Sequence, residues 1–265
     1  MNSAPATGHP PLKRRPKGPA SLDDLRQLLA VPLPKSEKRR SFSFHLPLDR
    51  HLAREGLSLE SVHEIHAATP QDQPAALGFL TALMAAISQR GAPLFIIISA
   101  PALLSSGRLH GHGLNQLGLD PGRITVVEAR NDIDALWAIE ETLHSGAAQV
   151  TAGLLSRSLD LKKSQRLSLA AREARRPLLL LRPPEGAAAS AVETRWSIAA
   201  APAHRCAQGG LIAPRWQVKL ERCRNGWPGE FVLEWYHASH RFGLAAALAD
   251  PALPDSAEFG RAHRA

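Results

Sequence analysis

Val62-His63-Glu64-Ile65-His66-Ala67-Ala68-Thr69-Pro70-Gln71-Asp72-Gln73-Pro74-Ala75-Ala76 is the stretch on which the reading of the fold turns. Val62–His66 reads as a short strand, and the apolar run Leu77–Ile87 beyond it reads as a helix. A strand, a tight turn and a helix make the frame in which a phosphate loop sits, with the helix N-terminus aimed at the anion. The turn supplies none of that loop's chemistry. From Ala67 to Ala75 it has no glycine, no lysine, and no serine or threonine at the helix start. Pro70 and Pro74 lack the N–H groups that would cradle phosphate, and Asp72 adds negative charge where an anion needs the opposite. The frame predicts a nucleotide-binding type of core. The residues in it predict no productive nucleotide binding.

Outward from this stretch, strands and helices alternate. Leu94–Ser99 is an apolar run of the kind buried on both faces of a parallel sheet. Leu109–Leu117 reads as a short helix, Ile124–Glu128 as a strand, and Ile133–His144 as a helix that follows Asn131 and Asp132 and stops at Ser145-Gly146. Gln149–Leu155 is a fourth strand, Leu159–Arg175 a basic helix, and Pro177–Arg182 a fifth strand. This alternation predicts a doubly wound, mostly parallel α/β sheet flanked by helices. After Pro184 the pattern changes to Glu193–Ala200, Pro214–Cys223 and Glu230–Tyr236, with the turn Arg224-Asn225-Gly226-Trp227-Pro228-Gly229 between the last two. An antiparallel C-terminal hairpin extension, about 193–245, is expected.

Residues 1–44 read as a disordered basic region carrying a short amphipathic helix at 21–30, residues 45–245 as one domain, and 246–265 as a flexible tail. The chain of 265 residues carries a net charge of +8. Within residues 1–50, ten Lys or Arg face four Asp or Glu, a net of +6, so most of the excess lies outside the presumed core. A basic balance favours nucleic acid or an acidic protein surface as partner. Cys206 and Cys223 lie too far apart for a CxxC motif, which fits a reducing compartment. The polar, proline-rich N-terminus shows no secretory signal, and the aliphatic runs Leu94–Ile98 and Leu178–Leu181 are much too short to span a bilayer. A cytoplasmic protein is expected. His110 and His112 sit between glycines without acidic companions, so no metal site is expected there. Ser105-Ser106-Gly107 sits in no nucleophile elbow, which argues against hydrolase chemistry.

One ordered series is more specific than any of these features. It runs Leu159-Asp160-Leu161, Arg166-Leu167-Ser168-Leu169-Ala170-Ala171, Pro177-Leu178-Leu179-Leu180-Leu181-Arg182, Thr194-Arg195-Trp196 and Pro214-Arg215-Trp216. It continues with Leu220-Glu221-Arg222-Cys223-Arg224-Asn225-Gly226, Leu233-Glu234-Trp235 and His240-Arg241-Phe242. The series resembles the bacterial ImuA family, RecA-like and SulA-like proteins of the inducible mutagenesis cassette, over about residues 45–245. The resemblance implies a RecA-like fold with a degenerate P-loop. Against the recombinase core, Gln73 stands where the phosphate-binding lysine would be, Pro74 replaces the magnesium-binding threonine, and Thr69 replaces the catalytic glutamate. Leu154 takes the place of a magnesium-linked aspartate. Arg222 and Arg224 fall near a pair of lysines that reach a neighbouring subunit's nucleotide.

The degenerate positions Ala67, Thr69, Asp72, Gln73 and Pro74 therefore imply no catalytic residues and no cofactor. The resemblance implies an accessory scaffold in SOS-induced translesion DNA synthesis, nucleoid-associated. Its partners would be ImuB, an inactive Y-family polymerase homologue, and an error-prone C-family DNA polymerase, with RecA and non-specific DNA as further candidates. Lys162, Lys163 and Arg166 on the basic helix, together with Arg222, Arg224 and Trp227, are the candidate DNA- or partner-binding residues. Alternation places Trp216 and Trp235 in the core and leaves Trp227 at an exposed turn. Three other readings stay open: a DNA-dependent ATPase using an unusual site, a modulator of the RecA filament, and a SulA-like cell-division inhibitor.

Overall fold

The computed structural model describes residues 40–183, 190–205 and 210–245. In chain order the elements are β1 (Ser41–Phe42), β2 (Leu57–Ser58), β3 (Val62–Ala67), α1 (Gln73–Ile87), β4 (Leu94–Ser99), α2 (Ala100–Ser106), α3 (Gly111–Gln116), β5 (Ile124–Ala129) and α4 (Asp132–Ser145). Then follow β6 (Val150–Leu154), α5 (Leu161–Ala174), β7 (Leu178–Leu181), β8 (Thr194–Arg205), β9 (Leu211–Cys223), β10 (Gly229–Tyr236) and β11 (Arg241–Leu244).

Nine strands form one sheet in the order β11-β10-β9-β8-β3-β7-β6-β4-β5. From β8 to β5 all neighbours are parallel, whereas β9, β10 and β11 each pair antiparallel with the strand before. The protein is thus an α/β fold of the expected kind, a mostly parallel sheet with an antiparallel C-terminal extension. The period of two along each strand explains why both faces are covered. On β4, Leu94, Ile96 and Ile98 enter one apolar cluster while Ile97 enters the other. On β7, Leu179 and Leu181 divide from Leu178 and Leu180 in the same way. The larger cluster packs α1 against the sheet, and the smaller one holds α4 and α5 through Ile139, Leu143, Leu167 and Ala171.

The extension is tied to α1 by aromatic rings. Phe79 of α1 lies 5.9 Å from Trp216 and 5.5 Å from Phe242 between ring centroids, and Phe242 lies 5.0 Å from Trp235. Trp196, Trp216 and Trp235 are all buried. Such clusters add directional contacts to the area they remove from water.

The sequence reading is refined in several places. Helix α1 starts at Gln73, not Leu77, because Pro74 falls in the first turn, where its missing N–H breaks no helical bond. Helix α2 was not expected; Pro101 starts it and Gly107, at φ 73°, ends it. Strand β8 runs to Arg205 and β9 starts at Leu211, both beyond the expected limits. Strand β11 was not expected and adds Phe242 to the core. Ser41–Phe42 and the buried Phe44 belong to this body, ahead of the expected boundary at 45, because Phe44 packs 5.7 Å from Phe242. The expected helix at 21–30 and the tail at 246–265 lie outside the described residues.

Candidate functional site

Strand β3 delivers the chain to the loop that precedes α1, and backbone donors of this loop are engaged by the protein itself. Ala68 N donates to the carbonyl of Ile198 at 2.8 Å. Thr69 N and its hydroxyl donate to Asp72 Oδ2, at 3.2 and 2.7 Å. Asp72 N returns to the Thr69 carbonyl, and Gln73 N caps onto the Pro70 carbonyl. Thr69 and Asp72 thus form a capping box around a single 3₁₀ turn, Pro70–Asp72. The other carboxylate oxygen of Asp72 accepts from Ala200 N of β8 at 2.8 Å. That bond and the Thr69 hydroxyl hold the Asp72 carboxyl below its usual pKa, so it is charged at neutral pH. A fixed anion therefore occupies the end of the loop. Gln73 donates its side-chain amide to Ser106 Oγ of α2 at 3.3 Å. Leu154, at the end of β6, is buried in the larger core.

Beneath the loop, β3 carries charge inward. Glu64 is 1% exposed and accepts from Arg195 Nε at 2.9 Å, from Arg182 at 3.3 Å and from Ser190 Oγ at 3.0 Å. Two guanidinium groups and a hydroxyl satisfy a carboxylate that unpaired burial would make untenable. Arg222 donates to the Ser190 carbonyl at 2.7 Å, which fastens the same segment. His66, also on β3, lies 3.1 Å from Glu221. Each of these groups is held by a partner within the protein. Among the described residues, no three His, Cys, Asp or Glu side chains converge where a metal ion could sit.

The candidate binding residues fall into two groups on separate elements. On α5, Lys163 is bridged to Asp160 at 3.1 Å and Arg166 is bonded to Glu140 of α4, while Lys162 is exposed and has no ion pair among the described residues. Asp160 also caps α5 by accepting from Lys163 N, which lowers its own pKa. At the β9–β10 turn, Arg224 and Trp227 are exposed. The turn is rigid: Trp227 N donates to the His51 carbonyl, Arg224 N donates to the Glu193 carbonyl, and His51 Nδ1 meets the Pro228 carbonyl at 2.9 Å. Trp227 is thus held outward by its backbone with 72% of its surface exposed.

The sequence reading passed over Ile133 and Trp137 on α4, which are 75% and 65% exposed. The signal was present. Ala135, Ile139 and Leu143 repeat at four-residue spacing and form the core face, so Ile133 and Trp137, four apart themselves, fall on the opposite side. Large apolar residues out of phase with a helix's buried stripe are informative about contact surfaces.

No model of a known protein family matches the chain. Two curated relatives do: Protein ImuA of Caulobacter vibrioides strain NA1000 / CB15N, and Protein ImuA of strain ATCC 19089 / CIP 103742 / CB 15 of the same species. Each is 33% identical over 223 residues, covering 78% of this chain and 88% of the relative. Among solved structures, the crystal structure of SulA from Pseudomonas aeruginosa matches 46% of this chain and 97% of its own, with 22% identity and a TM-score of 0.37. An identity of 33% sustained over 78% of the length places this chain in the ImuA family, proteins of a mutagenesis cassette.

Proposed function

We propose that this protein is a non-catalytic scaffold in damage-induced mutagenic DNA synthesis. Its partners would be an ImuB-type inactive Y-family polymerase homologue and an error-prone C-family polymerase. Family membership supports the setting. The observation that carries the passive role is the closed loop after β3, where Asp72 and the carbonyls of Ile198, Thr69 and Pro70 take up backbone donors that a triphosphate would need. A phosphate loop also needs a lysine and a magnesium-bound hydroxyl, and Gln73 and Pro74 supply neither. What remains is a rigid sheet that presents surfaces: the basic α5, the exposed crest of α4, and the fixed turn bearing Trp227.

The test has two arms. Tagged full-length chain recovered from damaged cells is expected to bring down both polymerase components; recovery of division proteins in their place would overturn the reading. Titration with a fluorescent ATP analogue and magnesium is expected to show no saturation. Micromolar saturable binding, or DNA-stimulated phosphate release, would favour an ATPase.

A further inference from the structure

The turn that carries Trp227 abuts residues 47–55, and the two together begin a run of arginines that continues to the end of α5. Beyond the backbone bonds that tie the turn to His51, there is no room between the two pieces. A Cβ on Gly229 would lie 2.7 Å from His51 Nδ1, and one on Gly226 would collide with the His51 carbonyl oxygen. The indole of Trp227 is therefore carried outward on a fixed base. Arg50 precedes His51 in the chain and is exposed. Arg54 and Asn225 line one cleft of about 140 Å³ with Arg40 and Glu193. Arg40 donates to the carbonyl of Arg175, the C-cap of α5, and both arginines reach the same oxygen of Glu60, at 3.6 and 3.8 Å. Arg172 lies one turn back on α5. Contact by contact, a basic surface runs from Trp227 and Arg224 through Arg54 and Arg40 to Arg175 and Arg172.

The acids on these segments do not cancel that charge. Asp49 and Glu60 are buried, and Glu60 is shared by two arginines. Glu221 and Glu230 are answered by His66 and Lys219, and Glu193 is half-buried. Glu55 and Glu173 are exposed, against the exposed Arg40, Arg50, Arg54, Arg172, Arg175 and Arg224. Arg50, Arg54, Arg172 and Arg224 have no ion pair among the described residues. The excess calls for a polyanion.

The surroundings of Trp227 say which kind. A protein partner that buried this indole would gain most from an apolar surround that excludes water. The turn offers Arg224, Asn225 and Pro228, and no second large apolar side chain. A nucleic-acid base needs only the open face of a ring, with cations beside it for the phosphates. A base free to stack on a side chain is an unpaired one, which selects a single strand over a duplex. We propose that this surface binds single-stranded DNA, with one base stacked on Trp227 and the phosphates that follow paired with Arg224, Arg54 and Arg40 toward the end of α5. The choice of DNA rests on the proposed setting in mutagenic synthesis; the surface itself does not.

The test is the fluorescence anisotropy of a labelled 20-nucleotide DNA strand titrated with the full-length chain at salt from about 50 to 200 mM. Saturable binding that weakens steeply with salt is expected. Trp227→Ala is expected to weaken it about tenfold, and Trp227→Phe, which keeps a ring, much less. Arg54→Gln with Arg224→Gln is expected to lower the slope of log K against log salt by about 1.4, two single-strand phosphate contacts at about 0.7 each. These positions are exposed, and Tm is expected to stay at the wild-type value. Absence of binding at the lowest salt, equal losses in the Ala and Phe variants, or an unchanged slope in the arginine pair would overturn the assignment. So would tighter binding of a duplex or of an RNA strand of the same sequence, or binding that survives these variants and is lost in Lys162→Glu with Lys163→Glu. If the strand is not bound while the chain still recovers the polymerase components, the surface is wrong and the scaffold stands. If the strand is bound as expected and no polymerase component is recovered, the surface stands and the scaffold reading falls.

Discussion

His63 on β3 is wholly buried, and the bonds around it fix its state. Trp196 Nε1 donates to Thr194 Oγ1, the Thr194 hydroxyl donates to His63 Nδ1, and His63 Nε2–H donates to the Ser58 carbonyl. Each donor has one acceptor, so this is the neutral imidazole with its proton on Nε2. Burial pushes its pKa from 6.5 down to about 4, against a smaller upward pull from the Ser58 carbonyl. Between those two values the unfolded chain binds the proton and the folded one does not. Stability from His63 is therefore full above about pH 6.5 and is lost as the pH falls toward 4. Lowering the pH from 7 to 5 is expected to remove about 2 kcal/mol through this residue. Urea midpoints at the two pH values measure it, and His63→Gln should flatten the dependence relative to wild type. Asp72 makes a second case. Its capping box and its bond to Ala200 predict that Asp72→Ala lowers unfolding stability by about 1 kcal/mol. The distant partner of each was not legible in the sequence, because Thr194 and Ala200 lie 131 and 128 residues from the groups they meet.

Elements were more legible than their contacts. The unbroken apolar run Leu94–Ser99 already implied a strand covered on both sides, Pro177–Arg182 read as a strand, and Asn131 with Gly146 bounded α4. What periodicity could not give was which helix meets which ring. Gly78 shows the difference. Its place in α1 is unremarkable in sequence, yet in the fold it faces the Trp216 indole. A Cβ at Gly78 would sit 3.6 Å from that ring, an ordinary contact. Gly78→Ala is thus expected to raise stability by about 0.5–1 kcal/mol, read as an increase in Tm. Gly153 on β6 is the counter-case, since a Cβ there would lie 2.5 Å from Ile139 and 2.9 Å from Leu180. Two packed side chains would have to give way at once, so Gly153→Ala should destabilise by about 1–3 kcal/mol. The same denaturation series checks both signs.

In the whole molecule, the loop after β3 is closed by a strand from the other end of the chain. Strand β8 lies beside β3 and begins the antiparallel extension, and it supplies both the Ile198 carbonyl and the Ala200 N–H that lock the loop. On the proposed reading of this loop, the loss of nucleotide binding is therefore more than a matter of two side chains. If it were local, Gln73→Lys with Pro74→Thr would bring back binding, because a lysine and a hydroxyl would then stand at the start of α1. The topology predicts otherwise: Ala68 N would still be bonded to Ile198, Thr69 N to Asp72, and the Asp72 carboxylate would still repel phosphate. The double variant is expected to show no saturable binding of a fluorescent ATP analogue with magnesium. Adding Asp72→Gly, which removes the fixed anion and frees Thr69 N, is expected to give the first measurable affinity of the series. Micromolar binding by the double variant alone would mean that the loop backbone was competent all along, and that the sheet extension has no part in silencing it.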